Sequence, residues 1–303
     1  MIAVCALPIS VRGIKHANIA VPHRVRSPLR MHRYDPPMIS RLPGLSLPER
    51  VWNTARRWAI AWWRILYLGA VVLVLVLSPS SYGKGTRRAL ARHIYLDTAP
   101  VLLGFTVLAA LLSLVLTRIV VVTALSYGLS RYALEMVIRV LVLELIPLTA
   151  ALFVAMRCTI PNGTQISRLR QTGRFHALRV NGFDPVRIEL LPRVIAGVFA
   201  CITLAALSCV VALVLAYLGV YGFNLAGLPT YTRMFGQVFT SSVTMVFALK
   251  TVFFSLAVAL IPMAAGLYDT GDRTQPDSEL GGLARMFAVL LLIEVISLMG
   301  NYY

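Results

Sequence analysis

The stretch that decides the fold runs from Glu144 to Ala200 and reads ELIPLTAALFVAMRCTIPNGTQISRLRQTGRFHALRVNGFDPVRIELLPRVIAGVFA. An apolar arm reaches Met156 and closes with Arg157. A polar middle, Cys158 to Ile188, carries Arg168, Arg170, Arg174, Arg179 and Arg187 against one acid, Asp184. A second apolar arm follows Leu190-Leu191-Pro192-Arg193. Two membrane-length arms around a basic hinge read as a transmembrane hairpin with a cytoplasmic elbow, because Lys and Arg accumulate on cytoplasmic loops. The elbow, roughly 163–180, is expected to be helical, with Pro161 near its start and Gly182 and Pro185 beyond its end.

Working outward, five spans are expected, at 96–125, 132–156, 194–220, 235–267 and 283–300. Ahead of them, Trp52, Trp58, Trp62 and Trp63 alternate with Arg56, Arg57 and Arg64 in an aromatic and cationic belt of the interfacial kind. Only 65–77 is uninterrupted apolar sequence, thirteen residues. That is short for a span and suits an interfacial helix; a full extra span from Trp58, with Arg64 snorkelling, is the competing reading. Lys84, Arg87, Arg88 and Arg92 follow. Together with the elbow arginines, Arg193 and Arg273 they outnumber Arg131 and Arg233 on the other side. The bias puts the amino end inside and the carboxyl end outside. Residues 1–50, rich in Arg, His and Pro, are expected to be a basic, disordered tail. Residues 51–94 are read as an interfacial helix and basic connector. The fold class is therefore an all-α integral membrane protein, with an interfacial helix, five transmembrane helices and a coupling helix between the second and third.

The totals agree. The 303 residues are 58% hydrophobic, with a mean hydropathy of +0.77, above a soluble domain of this length. The net charge of +17 is read as loop retention and attraction to anionic lipid heads, and no nucleic-acid partner is expected. Cys5, Cys158, Cys201 and Cys209 have no zinc-like spacing. No nucleotide-binding GxxxxGK[ST] loop is present, since Gly83-Lys84-Gly85-Thr86 lacks the first glycine. The chain is thus expected to be neither an ATPase nor an enzyme of another kind, with no metal and no cofactor of its own. Asn162-Gly163-Thr164 matches a glycosylation acceptor, but on a cytoplasmic elbow the match is fortuitous.

Charges inside spans cost about 2.5–3.5 kcal/mol each at a helix centre, so each needs a reason. Glu135 and Arg139, four residues apart, can pair on one helix. Glu144 points elsewhere and has no local partner, and Lys250 stands alone in the fourth span. They either satisfy one another across helices or line a polar cavity.

The central stretch resembles the MlaE/YrbE family of ABC-transporter permeases, membrane subunits of phospholipid transporters that work with MCE-domain proteins. The resemblance rests on Glu144-Leu145-Ile146-Pro147, Met156-Arg157, Gly182-Phe183-Asp184-Pro185-Val186-Arg187 and Pro192-Arg193. The resemblance is that of a divergent member. Gln165 stands where the family usually carries Glu, Gly173-Arg174 where it carries Glu-Gln, and Ser241-Ser242-Val243-Thr244 has none of the acid often found before the lysine. The resemblance implies that 95–303 is an MlaE-like permease domain and that two copies form the membrane core. It places Glu144, Lys250 and Tyr127 at a lipid-binding cavity. It places Gln165, Arg168, Arg170, Arg174 and Asp184 on the segment that couples to a separate ATPase, which binds the ATP. An MCE-domain protein and phospholipid are the further partners, and the bacterial inner membrane is the expected location, ahead of an organelle envelope. A membrane-embedded lipid-modifying enzyme would need clustered acids at a membrane face. A stand-alone secondary transporter would need inverted repeats with broken helices. The sequence displays neither.

Overall fold

A computed structural model describes residues 47–78, 84–128, 130–268 and 277–302. The expected tail, 1–50, lies almost wholly outside the described residues, as do Arg273 and the side chains of Lys84 and Arg131. Contacts gather Val51–Tyr303 into one compact unit. No strand occurs among the described residues. The helices are α1 (Leu47–Leu77), α2 (Lys84–Ser126), α3 (Ser130–Val137), α4 (Ile146–Val154), α5 (Ile160–Gln171), α6 (Arg174–Val180), α7 (Leu191–Tyr221), α8 (Leu228–Val238), α9 (Ser241–Tyr268) and α10 (Asp277–Tyr302). An all-α integral membrane protein is the result.

Among the described residues, six segments are long and apolar enough to cross a membrane: Trp58–Leu77, Leu90–Ser126, Leu134–Gln171, Val186–Tyr221, Ser241–Tyr268 and Gly281–Asn301. The first exceeds the thirteen-residue run read from sequence, because Trp58, Ile60, Trp62 and Trp63 extend its apolar character past Arg64.

The long helices meet along ridges of every fourth residue. On α2 the buried ridge is Val101, Phe105, Ala109, Ser113 and Thr117, and on α7 it is Ala196, Ala200, Leu204, Ser208, Ala212 and Ala216. Ridges at this spacing interdigitate when side chains are small. Gly219 shows how closely: a Cβ there would stand 2.8 Å from Thr117 Cγ2. The remaining face of α2 is apolar and exposed, with Leu103 at 75% and Val122 at 62%. Small residues between the helices and large apolar residues outside suit a lipid solvent.

Among the described residues, three π-helical segments interrupt the bundle, at Ile138–Leu145, Ala155–Thr159 and Val186–Leu190. Each ends two residues before a proline: Pro147, Pro161 and Pro192. A proline inside a helix lacks its N–H and presses on the carbonyl four residues back. Widening the preceding turn relieves the clash and lets the helix continue. Two of the three segments contain the acids Glu144 and Glu189.

The fourth span differs from expectation at its start. Residues 235–238 belong to α8, a separate helix, and the chain breaks at Phe239, with φ −87° and ψ 64°. α9 begins at Ser241, where Thr240 Oγ1 accepts a hydrogen bond from the Val243 amide at 3.4 Å. A threonine that takes up a free amide in this way stops the apolar run from continuing backwards. α8 is held by Tyr231, whose hydroxyl donates to the Leu213 carbonyl at 2.9 Å and is pushed by burial to a pKa of about 12.

Candidate functional site

Glu144 sits in the first π segment, just ahead of Pro147. The widened turn carries its carboxylate to Lys250 on α9, with which it forms an ion pair. Lys250 is also paired with a third residue. Glu294 on α10 places Oε2 2.9 Å from Nζ. The Leu143 carbonyl accepts from the same ammonium at 3.3 Å, so a carbonyl and two carboxylates surround the charge. Asn301 Nδ2 donates to the other Glu144 oxygen at 3.2 Å. The lysine side chain is 1% exposed, and those of Glu144 and Glu294 are 13% and 14% exposed. The cluster thus joins the first apolar arm to α9 and α10, and two carboxylates share one ammonium. An unpaired charge at this depth would be strongly disfavoured.

The pair expected from sequence is therefore part of a triad. Glu294 is the only charged residue from Met286 to Tyr303. It is legible by the same argument that singled out Lys250, a lone charge in an apolar helix, and sequence reasoning passed over it. Asn301 gives no sequence signal. Tyr127 lies in the turn just after α2 and is 76% exposed, with no bond to the triad. Glu135 and Arg139 pair locally at 3.0 Å.

The elbow is two helices, α5 and α6, broken at Gly173, whose φ of 75° is a left-handed conformation that glycine adopts freely. α5 lies backbone to backbone on α9. A Cβ on Gly163 would stand 2.6 Å from the Pro262 carbonyl oxygen, so only glycine permits the crossing. The adjacent Asn162 is buried and donates from Nδ2 to Asp97 Oδ2 on α2 at 2.9 Å.

Among the expected coupling residues, Gln165 and Arg168 are exposed. Arg170 turns inward, and its Nη1 donates to the Leu267 carbonyl at 2.6 Å. Arg174 Nε donates to Glu189 Oε1 at 3.0 Å. Asp184 forms a local turn, accepting from the Val186 amide at 3.0 Å through Oδ1. Glu189 lies one residue beyond the segment read as polar, and sequence reasoning passed over it. Its second oxygen takes Arg193 Nη1 at 2.8 Å, and it thereby ties the elbow to the first turn of α7. The Glu189 and Arg193 side chains are only 10% and 9% exposed.

Helices of this length, ridged with small residues and joined by a basic double-helical elbow, make a multi-pass membrane permease. A family model described as Permease MlaE matches residues 90–299, and the chain belongs to that family of ABC lipid-transporter permeases. A search of curated proteins gave no match.

Proposed function

We propose that the chain is the membrane-spanning subunit of an ABC-type phospholipid transporter that moves lipid between the inner and outer membranes of a bacterial envelope. Two copies form the core, a separate ATPase binds ATP and docks on each elbow, and an MCE-domain protein meets the outer face. The observation that carries this reading is the construction of the elbow. α5 is locked onto α9 at Gly163, and Arg174 and Arg193 grip Glu189 from either side. A push on the elbow is therefore delivered to α7 and α9 rather than absorbed in a loose loop. Arg168 and Arg179 remain on its exposed face for an acidic groove of the ATPase.

Glu144, Lys250 and Glu294 supply a polar site for a lipid head group, with Tyr127 at the outer mouth between the two copies. The interfacial placement of α1 is supported by its neighbours. Arg64 lies over the Tyr268 ring at 5.7 Å, Gly69 faces Leu260, and Leu75 and Val76 pack on the cluster that includes Ile166, Phe175 and Leu190. All of these partners lie at the elbow end of the bundle, so α1 runs across that end. The test is purification of the tagged chain from its native membrane. An ABC ATPase and bound phospholipid should accompany it, and ATP should release the lipid. A preparation with neither partner and with no nucleotide-dependent release would end this reading.

A further inference from the structure

Buried polar atoms without a hydrogen-bond partner are rare, and each asks for an explanation. Among the described residues, three such atoms fall on α10: Glu294 Oε2, Ser297 Oγ and Asn301 Oδ1. At 100° per residue, positions 294, 297 and 301 lie within about 60° of arc, so they form one stripe. That stripe faces the ion cluster, because Glu294 pairs with Lys250 and Asn301 Nδ2 donates to Glu144 Oε1. Glu294 meets the lysine as an ion pair at 2.9 Å, yet its Oε2 receives no hydrogen bond. Ser297 is 5% exposed. A buried helical hydroxyl can bond the carbonyl four residues back, as those of Thr106, Ser113, Thr149 and Thr251 do. Ser297 makes no such bond. The Asn301 amide is oriented by Glu144: a carboxylate accepts, so the nitrogen faces it and the oxygen is the free end.

The character of these atoms defines what fills them. An ionised carboxylate and an amide oxygen only accept, so the occupant must donate. Two carboxylates on one ammonium leave one formal negative charge in excess, so the occupant must be a cation. Lys250 is enclosed by Glu144, Glu294 and the Leu143 carbonyl, which keeps its ammonium from taking a phosphate. The Glu144 and Glu294 side chains retain some exposure, so the cluster is not sealed. Leu249, Val295 and Ile296, beside Lys250 and Glu294 in the chain, are exposed and apolar. A cation that arrives across such a surface comes on an apolar molecule.

We propose that the α10 stripe and Glu144 receive the primary ammonium of an aminophospholipid, and that Glu294, Ser297 and Asn301 set the head-group preference of the lipid site. A primary ammonium brings three N–H donors together with one positive charge. A quaternary ammonium brings the charge without a donor, and an anionic head group lacks the charge. The proposal rests on the lipid-transport reading and narrows it to a substrate class.

The experiment is thermal unfolding of the full chain in detergent, read by tryptophan fluorescence during titration with dioctanoyl phosphatidylethanolamine. The mono-, di- and trimethylated forms of that lipid keep the charge and remove the N–H donors one at a time. Dioctanoyl phosphatidylglycerol and free ethanolamine are the comparison probes. Phosphatidylethanolamine should raise the melting temperature saturably, and its apparent affinity should fall by about tenfold or more along the methylation series. Phosphatidylglycerol and ethanolamine should give no shift over the same concentrations. Ser297→Ala removes one hydroxyl and should fold as the wild type does. It should weaken phosphatidylethanolamine about tenfold, as loss of one charge-assisted bond predicts, and leave the trimethylated lipid unchanged. Equal affinity along the series, an equal shift with phosphatidylglycerol, a shift with ethanolamine alone, or an unchanged preference in Ser297→Ala would each overturn the proposal. Loss of the dimer in Ser297→Ala would overturn it too, by giving these acceptors to a second copy. Lipid binding without head-group preference would end this proposal and leave the transport reading standing, so the two failures are distinguishable.

Discussion

Lys250 on α9 and Glu294 on α10 stand 2.9 Å apart, and this contact changes what the Glu144–Lys250 pair can be expected to do. With two carboxylates on one ammonium, loss of Glu144 leaves the lysine still partnered, whereas loss of the lysine leaves two acids buried together. Lys250→Met should therefore lower stability by about 3–5 kcal/mol, seen as reduced folded protein in size-exclusion profiles. Glu144→Gln should fold, retain its ATPase and lose bound phospholipid on purification. Wild-type lipid content in that variant would remove Glu144 from the lipid site.

Glu189 holds two arginines, one of them buried. Glu189→Gln should strand the Arg193 guanidinium and cost about 3–5 kcal/mol. The double change Glu189→Leu with Arg193→Met should recover much of that loss, because an apolar pair of similar volume removes the uncompensated charge. Thermal melts of the two variants decide it. If the double variant is no more stable than the single, Arg193 is held by something other than Glu189.

The glycine crossing between α5 and α9 gives a sharper comparison. Gly163→Ala forces a Cβ against the Pro262 carbonyl and should destabilise by about 1–3 kcal/mol. Gly236→Ala in α8 meets nothing within 4 Å and should be neutral or stabilising by about 0.5–1 kcal/mol. Equal effects in the two variants would contradict the close approach of the two backbones.

Charge reversal on the elbow must respect the bonds found there. Arg170 and Arg174 serve the fold as well as any partner, so reversing either confounds docking with folding. Arg168→Glu is the cleaner variant. It should abolish ATPase co-purification while membrane insertion and melting temperature stay at wild-type values. Undiminished co-purification after Arg168 and Arg179 are both reversed would take the exposed basic face out of the interface.

Topology is checked by reporters at both ends. Five crossings from a cytoplasmic amino end put Tyr303 outside, so a fusion active only in the cytoplasm should be bright at Met1 and silent after Tyr303. Silence at both ends would mean that Trp58–Leu77 crosses.

The all-α membrane class, the basic elbow and the family were legible in the sequence because they rest on local quantities. Hydropathy accumulates over about 20 residues, and the sign of a loop is set by the residues in it. The glycosylation-like Asn162-Gly163-Thr164 was properly set aside, though its real use, a buried amide beside a glycine crossing, depends on α2 and α9 lying where they do. The boundary at Ser241 was misplaced because α8 is apolar enough to read as the start of the next span. Tertiary structure alone brought Glu294 to Lys250 and Arg174 to Glu189, whereas Glu189 and Arg193 are four residues apart and pair locally. The physical reason is rotational. A residue's partner across helices depends on the angle at which each helix faces its neighbour and on how closely small residues let them approach, and neither is encoded in any one segment.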